Sequence, residues 1–177
     1  MGRYTDGPGA INNTSSVPTI RHATPSDDSF LKEMLTVAAD WRPGAVVRSV
    51  AEIMAEPARA HYVAGWPAEG DVGFVAEDER PVGAAWWRFF SQHDPGYGFV
   101  DVRTPEVSIG LVADAQRQGI GTALLEVLVE EALGRALPAL SLSVEPDNPA
   151  VALYQRLGFV AVGRVGGSVT MVLKLDP

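Results

Sequence analysis

The sequence contains no cysteine among its 177 residues, and histidine is scarce. Without cysteine there can be no disulfide, no thiolate-bound zinc and no covalent acyl-cysteine intermediate. The three histidines, His22, His61 and His93, lie far apart in the sequence and lack the spacing of metal ligands. We therefore expect no metal site, and any group-transfer chemistry of this chain would have to be direct.

Long hydrophobic runs and an excess of positive charge are also missing. No apolar stretch approaches the ~20 residues of a membrane span, and no basic segment followed by a hydrophobic core opens the sequence. Aspartate and glutamate outnumber lysine and arginine by 22 to 14, which gives a net charge of −8. This charge disfavours nucleic acids and anionic membranes as partners and favours a small cationic partner. We expect a soluble, cytoplasmic protein.

The length of the chain suits one domain. Residues 1–18 are rich in Gly, Asn, Ser and Thr without periodicity, which predicts a flexible tail before a single domain over residues 19–177. A capping box that begins at Thr24 predicts a helix to about Asp40, and helical spacing returns from Ala45 to Glu56. Further along, strand patterns cover residues 19–22, 72–77, 81–90, 106–112, 140–144, 159–163 and 169–175, and helical patterns cover residues 122–133 and 149–158.

The segment between the strand at residues 106–112 and the long helix reads Gln116-Arg117-Gln118-Gly119-Ile120-Gly121-Thr122. Backbone N–H groups at a helix start have no intrahelical partner, and the helix dipole attracts anions there. Glycine lets an anion approach the backbone closely. The patterns of nucleoside-triphosphate and dinucleotide sites are both absent. The turn therefore predicts a diphosphate cradle, with a plain capping device as the alternative.

The strand before this turn and the segment after the long helix carry further candidate site residues. In the strand that precedes it, Val107, Ile109 and Leu111 alternate with Glu106, Ser108 and Gly110. A glycine inside a strand often marks a close approach, so we expect the face with Glu106 to open toward a ligand. After the long helix, Asn148-Pro149 is typical of the N-cap and first turn of a short helix that ends at Gly158.

Three segments together resemble the GNAT superfamily of acetyl-CoA-dependent N-acetyltransferases: residues 105–112, the Q-x-x-G-x-G turn at 116–121, and residues 148–159. The resemblance covers about Thr19 to Leu175. It implies an α/β fold with a mixed, mostly antiparallel central sheet, flanking helices and two central strands that splay apart. It also implies acetyl-CoA as co-substrate, with a pyrophosphate site formed by Gln116, Arg117, Gln118, Gly119, Ile120, Gly121 and Thr122.

The resemblance further assigns roles to single residues. The pantetheine arm of acetyl-CoA would pair with backbone near Leu111 and Val112, and Asn148 would help to hold it. Tyr154 stands where many members place the general acid, and a phenol keeps its proton at neutral pH. Glu106 is the candidate base that takes a proton from the acceptor amine. Burial of Tyr154 in helix packing and exposure of Glu106 at a strand end remain the structural alternatives.

Aromatic residues cluster near the middle of the sequence, at Trp86, Trp87, Phe89, Phe90, Tyr97 and Phe99. Alternation places Trp87 and Phe89 on one face of a strand and Trp86 with Arg88 on the other. Core packing is favoured over an acceptor pocket for most of them.

The leading hypothesis is a direct acetyl transfer to a primary amine in a ternary complex. A catalytically weak acyl-CoA sensor and a transferase for a bulkier acyl group are the alternatives. Antibiotics, amino acids, polyamines and peptide N-termini all remain open as acceptors. Related proteins often form dimers, so a homodimer is among the expected partners.

Overall fold

The computed structural model describes residues 18–175, so nearly all of the predicted tail lies outside the described residues. Within them, the helices are α1 (Asp28–Ala39), α2 (Val50–Met54), α3 (Pro57–Ala60), α4 (Ile120–Gly134) and α5 (Ala150–Arg156). The strands are β1 (Thr19–His22), β2 (Val72–Asp78), β3 (Arg80–Arg88), β4 (Glu106–Leu111), β5 (Ala139–Val144), β6 (Val160–Val165) and β7 (Ser168–Lys174). Short 3₁₀ turns lie at Pro25–Asp27 and Ala113–Ala115. No helix of the described part is both long and apolar enough to cross a bilayer.

The strands form one seven-stranded sheet in the order β1-β2-β3-β4-β5-β7-β6. Every neighbouring pair is antiparallel except β4 and β5, which are parallel. Those two strands pair at one position only, where Glu106 lies beside Ser141. The mixed, mostly antiparallel sheet with splayed central strands is thus confirmed.

Helices cover both faces of the sheet and create two cores. On one face, α4 and α5 pack with Phe74, Trp87, Val107 and Leu142. On the other face, α1 and α2 pack with Val75, Ala84 and Trp86, among others. Trp86 and Trp87 follow each other on β3, point to opposite faces and are both fully buried. Core packing of these two tryptophans is therefore confirmed.

The predicted helix over residues 45–56 is wrong in its first half. Helix α2 begins only at Val50, because Ser49 and Glu52 form a capping box in which the Ser49 hydroxyl accepts from the Glu52 N–H at 3.2 Å. The two valines that suggested an earlier start, Val46 and Val47, are 85% and 83% exposed. Apolar spacing without a core to pack against does not hold a helix.

The glycine inside β4 also has a different explanation from the expected one. A Cβ built on Gly110 would lie 2.3 Å from the Met34 carbonyl oxygen, so the close approach is that of α1. Helix α1 therefore covers this end of the strand face that we expected to open toward a ligand. The opening lies instead at the edge of β4, toward β5.

Candidate active site

The edge of β4 that faces β5 is unpaired over most of its length. Beyond the single pairing of Glu106 with Ser141, no described residue of β4 pairs with β5. On the opposite edge of the strand, the Val112 N–H donates to the Val82 carbonyl at 2.9 Å, so that amide is already used. The Leu111 carbonyl accepts from the Gln116 side chain at 3.3 Å. The two strands thus enclose a cleft whose free main-chain groups on the β4 side lie between Val107 and Leu111.

After β4 the chain leaves the cleft through the 3₁₀ turn at Ala113–Ala115 and reaches the N-terminus of α4 at Ile120. Gly119 is the N-cap residue, with φ of 83°, and no side chain caps the helix. Arg117 also has a positive φ, of 60°. Because the first N–H groups of an α-helix lack intrahelical acceptors, those of Ile120, Gly121 and Thr122 remain available to a ligand. The helix start therefore presents an uncapped group of amides, as an anion site requires.

The side chains of the predicted cradle contribute less than its backbone. The Gln118 amide donates to the Asp114 carbonyl at 2.5 Å, and Gln116 is held at Leu111, as described above. The Arg117 side chain is exposed. Ile120 is buried, so it offers a ligand only its N–H. The Gln116 bond ties the turn to the end of β4, the Gln118 bond ties it to the 3₁₀ turn at Ala113–Ala115, and together they set the position of the amides.

Asn148 lies just before Pro149, the N-cap residue of α5. Its Oδ1 accepts from the Ala150 N–H at 2.8 Å, and its carbonyl accepts from the Val151 N–H at 3.1 Å. The predicted helix start is therefore correct within one or two residues. The Nδ2 donor group of Asn148 makes no hydrogen bond to the described residues and stays available to a ligand.

Tyr154 projects from α5 into the core shared with α4. It is 7% exposed and meets Phe159 edge to face, with ring centroids 6.0 Å apart. Its hydroxyl forms no hydrogen bond to any residue between 18 and 175. Burial raises the pKa of the phenol from 10.0 to about 12. The proton therefore stays on the phenol throughout the physiological range, whether its role is packing or acid catalysis.

Glu106 is buried at the point where β4 and β5 meet, with 2% of its surface exposed. The alternative of an exposed strand-end glutamate is therefore wrong. Its Oε1 accepts from the Tyr62 hydroxyl and from the Gly98 N–H, each at 2.8 Å. Its Oε2 is fully buried and has no partner among the described residues, and the same is true of Ser141 Oγ on the paired strand. The closed end of the cleft thus holds two unsatisfied polar atoms on paired residues.

Burial raises the pKa of Glu106 from 4.5 to about 7, although the hydrogen bonds from Tyr62 and Gly98 oppose the shift. A positive charge beside Glu106 would lower this pKa, and Arg88 is the cross-strand partner of Glu106. Its guanidinium, however, contacts Asp71, with Nε 3.1 Å from Oδ1. A carboxyl with this pKa changes protonation near neutral pH, as a general base must.

Several neighbours of Glu106 were missed at the level of sequence. Tyr62 precedes it by 44 residues and Asp71 precedes its contact Arg88 by 17, with no motif to connect them. The loop at Asp94-Pro95-Gly96 also lies over the carboxyl, and no sequence pattern indicated this position. A Cβ on Gly96 would lie 2.1 Å from Glu106 Oε2, which shows how closely the loop covers this side chain.

Comparison with known proteins gives consistent results. The sequence profile of the acetyltransferase (GNAT) family matches residues 36–159. Mycothiol acetyltransferase from Mycobacteroides abscessus is 30% identical over 156 residues, which are 85% of this chain and 48% of that protein. Ribosomal protein bS18-alanine N-acetyltransferase from Escherichia coli K12 is 47% identical over 53 residues, which are 29% of this chain and 36% of that protein. The chain spans less than half the length of the curated relatives it matches.

Solved structures share the fold. Ribosomal-protein-alanine N-acetyltransferase from Brucella melitensis superposes with a TM-score of 0.64 at 27% identity, covering 89% of this chain and 99% of that one. A phosphinothricin acetyltransferase from Sinorhizobium meliloti, in complex with acetyl-CoA, has a TM-score of 0.65 at 23% identity over 90% of this chain and 89% of that one. The second likeness concerns the fold alone. The profile match spans most of the domain, and the chain belongs to the acetyltransferase (GNAT) family.

Proposed function

We propose that this protein is an acetyl-CoA-dependent N-acetyltransferase that transfers the acetyl group directly to a primary amine in a ternary complex. One observation carries the proposal. The cleft between β4 and β5 has the uncapped α4 N-terminus near its open end and the buried Glu106 carboxyl at its closed end. This arrangement supports an anion site and a base at opposite ends of one extended cleft.

The donor fits this cleft in a specific direction. The amides of residues 118–122 bind the pyrophosphate, and the extended pantetheine arm runs along the free edge of β4 near Leu111 and Val112. Because the Val112 N–H bonds Val82 on the β3 edge, pairing with the arm falls to the free main-chain groups between Val107 and Leu111 on the β5 edge. Asn148 approaches from the opposite wall. The thioester then lies toward the closed end, near Glu106.

The chemistry requires one base and one acid. A primary amine is mostly protonated at neutral pH, so Glu106 takes a proton from it, directly or through a water. The amine lone pair attacks the thioester carbonyl, and the nitrogen gives up its second proton to water as the tetrahedral intermediate collapses. The C–S bond breaks with its electron pair on sulfur, Tyr154 gives its proton to the CoA thiolate, and the tyrosinate regains a proton from solvent. The chain has no cysteine, so no acyl-cysteine intermediate intervenes.

Glu106 and Tyr154 belong to different cores of the molecule. Glu106 bonds Tyr62, which packs with α1 and α2, whereas Tyr154 packs with α4. The cleft between β4 and β5 passes through the sheet that separates these cores. A thioester in that cleft therefore meets the base from one face and the acid from the other.

The test is an acceptor screen that reads released CoA thiol with a thiol reagent. The enzyme has no cysteine, so it adds no background signal to the thiol assay. The panel comprises a peptide that begins with alanine, an amino sugar, a polyamine and free amino acids. Amine-dependent thiol release supports the proposal. No release with any of them, together with thermal stabilisation by acetyl-CoA, would favour a sensor instead.

The acyl group is tested in the same assay. Acetyl-, propionyl- and succinyl-CoA are compared at equal concentration with the amine that reacts fastest. A preference for acetyl-CoA in kcat/KM supports the proposal, whereas a preference for the larger groups would assign the enzyme to another acyl donor.

A further inference from the structure

The carboxyl of Glu106 is held by a short chain of hydrogen bonds. The Tyr97 N–H donates to the Tyr62 hydroxyl oxygen at 2.6 Å, and the Tyr62 O–H donates to Glu106 Oε1 at 2.8 Å. The Gly98 N–H donates to the same Oε1 at 2.8 Å. Since a phenol has one proton, the bond accepted from Tyr97 directs that proton to Glu106.

The two carboxylate oxygens of Glu106 are therefore not equivalent. Oε1 accepts two hydrogen bonds, while Oε2 accepts none from the described residues. A proton that arrives at this carboxylate goes to the oxygen with unused lone pairs, which is Oε2. Gly96 keeps room beside that oxygen, because a Cβ there would lie 2.1 Å from it.

Tyr62 is itself fixed on several sides. Its ring meets His61 and Phe90 edge to face, at centroid distances of 4.8 and 5.0 Å. Its carbonyl accepts from the Trp86 indole N–H at 2.9 Å. A phenol held in this way cannot follow another partner, so its hydroxyl fixes the orientation of the Glu106 carboxyl.

The segment that carries Tyr62, residues 61–71 between α3 and β2, also binds the Arg88 guanidinium. Arg88 and Glu106 are direct cross-strand partners on β3 and β4, so their side chains leave the sheet on the same face. Arg88 turns away to Asp71, whose side chain is 1% exposed, and donates to the His61 and Ala64 carbonyls at 2.7 and 2.8 Å. Asp71 therefore binds the guanidinium of the arginine that is paired with Glu106 across the strands, and Arg88 makes no hydrogen bond to Glu106.

The other titratable groups around Glu106 are few. Tyr62 and Tyr97 lie on the covering segments, and the His61 imidazole beside Tyr62 is paired with Asp94 at 2.8 Å. No charged group among the described residues contributes to the shift of the Glu106 pKa, which burial and the two hydrogen bonds account for.

We propose that the segment between α3 and β2 is a positioning element for Glu106, in which Tyr62 directs the carboxyl and Asp71 withholds Arg88 from it. The inference rests on the proposed function of Glu106 as the base. The loss of Tyr62 and the loss of Asp71 should shift the pKa of Glu106 in opposite directions. Tyr62 stabilises the carboxylate by hydrogen bonding, so its loss raises the pKa of Glu106. Asp71 keeps a positive charge away, so its loss lowers that pKa.

The first test is Tyr62→Phe, which keeps the ring and removes the hydroxyl. The pKa of Glu106 is followed by NMR titration of ¹³C-labelled carboxyl groups, with the signal assigned by its absence in Glu106→Gln. We expect the pKa to rise by about one pH unit. Tyr97→Phe is the matched control, because Tyr97 bonds Tyr62 through its backbone N–H, and it should leave the pKa unchanged. An unchanged pKa in Tyr62→Phe would overturn the role of Tyr62.

The second test is Asp71→Asn, alone and combined with Arg88→Met. The single variant should lower the pKa of Glu106 by about 1 to 3 pH units as the freed guanidinium turns toward it. The double variant should restore the wild-type value. A pKa that stays constant in folded Asp71→Asn would refute the role of Asp71. If this variant does not fold, Arg88→Lys tests the same part: a lysine cannot make the paired contacts with Asp71, so the pKa of Glu106 should fall, and an unchanged pKa would refute the role of Asp71.

Activity separates this inference from the function on which it rests. The same variants are assayed with acetyl-CoA and a peptide that begins with alanine, over a range of pH. A shifted carboxyl titration in a protein that acetylates no amine of the acceptor screen would leave the positioning element intact and count against the transferase. If Tyr62→Phe acetylates the amine and its kcat falls at the same low pH as that of the wild type, the transferase stands and the positioning role of Tyr62 is refuted. A merely structural residue does not move a pH profile.

Discussion

The donor end and the base end of the cleft are built in different ways. At the donor end, the groups that we propose face the co-substrate are consecutive amides of one turn, and the Gln116 and Gln118 side chains that hold this turn bond residues four or five positions away. At the base end, Glu106 depends on Tyr62, which is 44 residues away, and on a loop that passes over it at Gly96 and Gly98. One end is local in sequence, and the other is assembled by the fold.

This difference has a chemical reason. An anion is bound well by any helix start whose amides are free, so a short motif suffices. A base needs a pKa near the working pH, which requires burial and a controlled set of partners from several elements. Variants at the two ends should accordingly separate binding from catalysis.

The largest expected effect is that of Glu106→Gln, which breaks the base end alone. We expect kcat to fall by ~10²- to 10⁴-fold, the usual range for a general base. The dissociation constant of acetyl-CoA, measured by calorimetry, should stay the same because the donor end is untouched. A comparable loss of acetyl-CoA binding would mean that the two ends are not separable.

The same variant has an expected effect on stability. The pKa of Glu106 is raised in the folded state from 4.5 to about 7. The contribution of its carboxyl to the free energy of unfolding is therefore complete below about pH 4.5 and is lost as the pH rises through 7. Glu106→Gln removes this loss. Its stability relative to the wild type should therefore increase by about 3 kcal/mol between pH 4 and pH 8. Urea unfolding at both pH values measures the difference, and a constant difference would contradict it.

Tyr154→Phe probes the acid in the α4 core. The hydroxyl makes no hydrogen bond within residues 18–175, so its removal should leave the melting temperature nearly unchanged. If Tyr154 protonates the CoA thiolate, kcat should fall by ~10²-fold. Equal kcat values for variant and wild type would limit Tyr154 to packing.

The smallest effect is expected at the donor end. A Cβ on Gly121 would make ordinary contacts with Leu111 and Leu153, the nearest at 3.4 Å, so the protein has room for alanine there. Alanine also favours the helix by up to ~1 kcal/mol. Gly121→Ala should keep or raise the melting temperature while acetyl-CoA binding weakens by roughly tenfold, because the methyl group enters the donor cleft. Unchanged binding would show that the donor lies elsewhere.

The accuracy of the sequence predictions follows the same division. Most of the element order, the start of α4 within the 116–122 turn and the start of α5 just after Asn148 were predictable, because each depends on residues a few positions apart, whereas the short helix α3 was not predicted. The helix over residues 45–56 was wrong where its valines found no core, and Gly110 proved to face α1. In both cases a tertiary contact, or the lack of one, decided the outcome.

The sequence by itself determined the family and the start of α4 within the 116–122 turn. Both depend on residues a few positions apart, which short segments specify, whereas the two candidate catalytic side chains came from the resemblance to the family. Only the tertiary structure decided the burial of Glu106, its bond to Tyr62 and the diversion of Arg88 to Asp71. These contacts join distant parts of the chain, and the pKa of a carboxyl responds to whatever surrounds it in space, not to its neighbours in sequence.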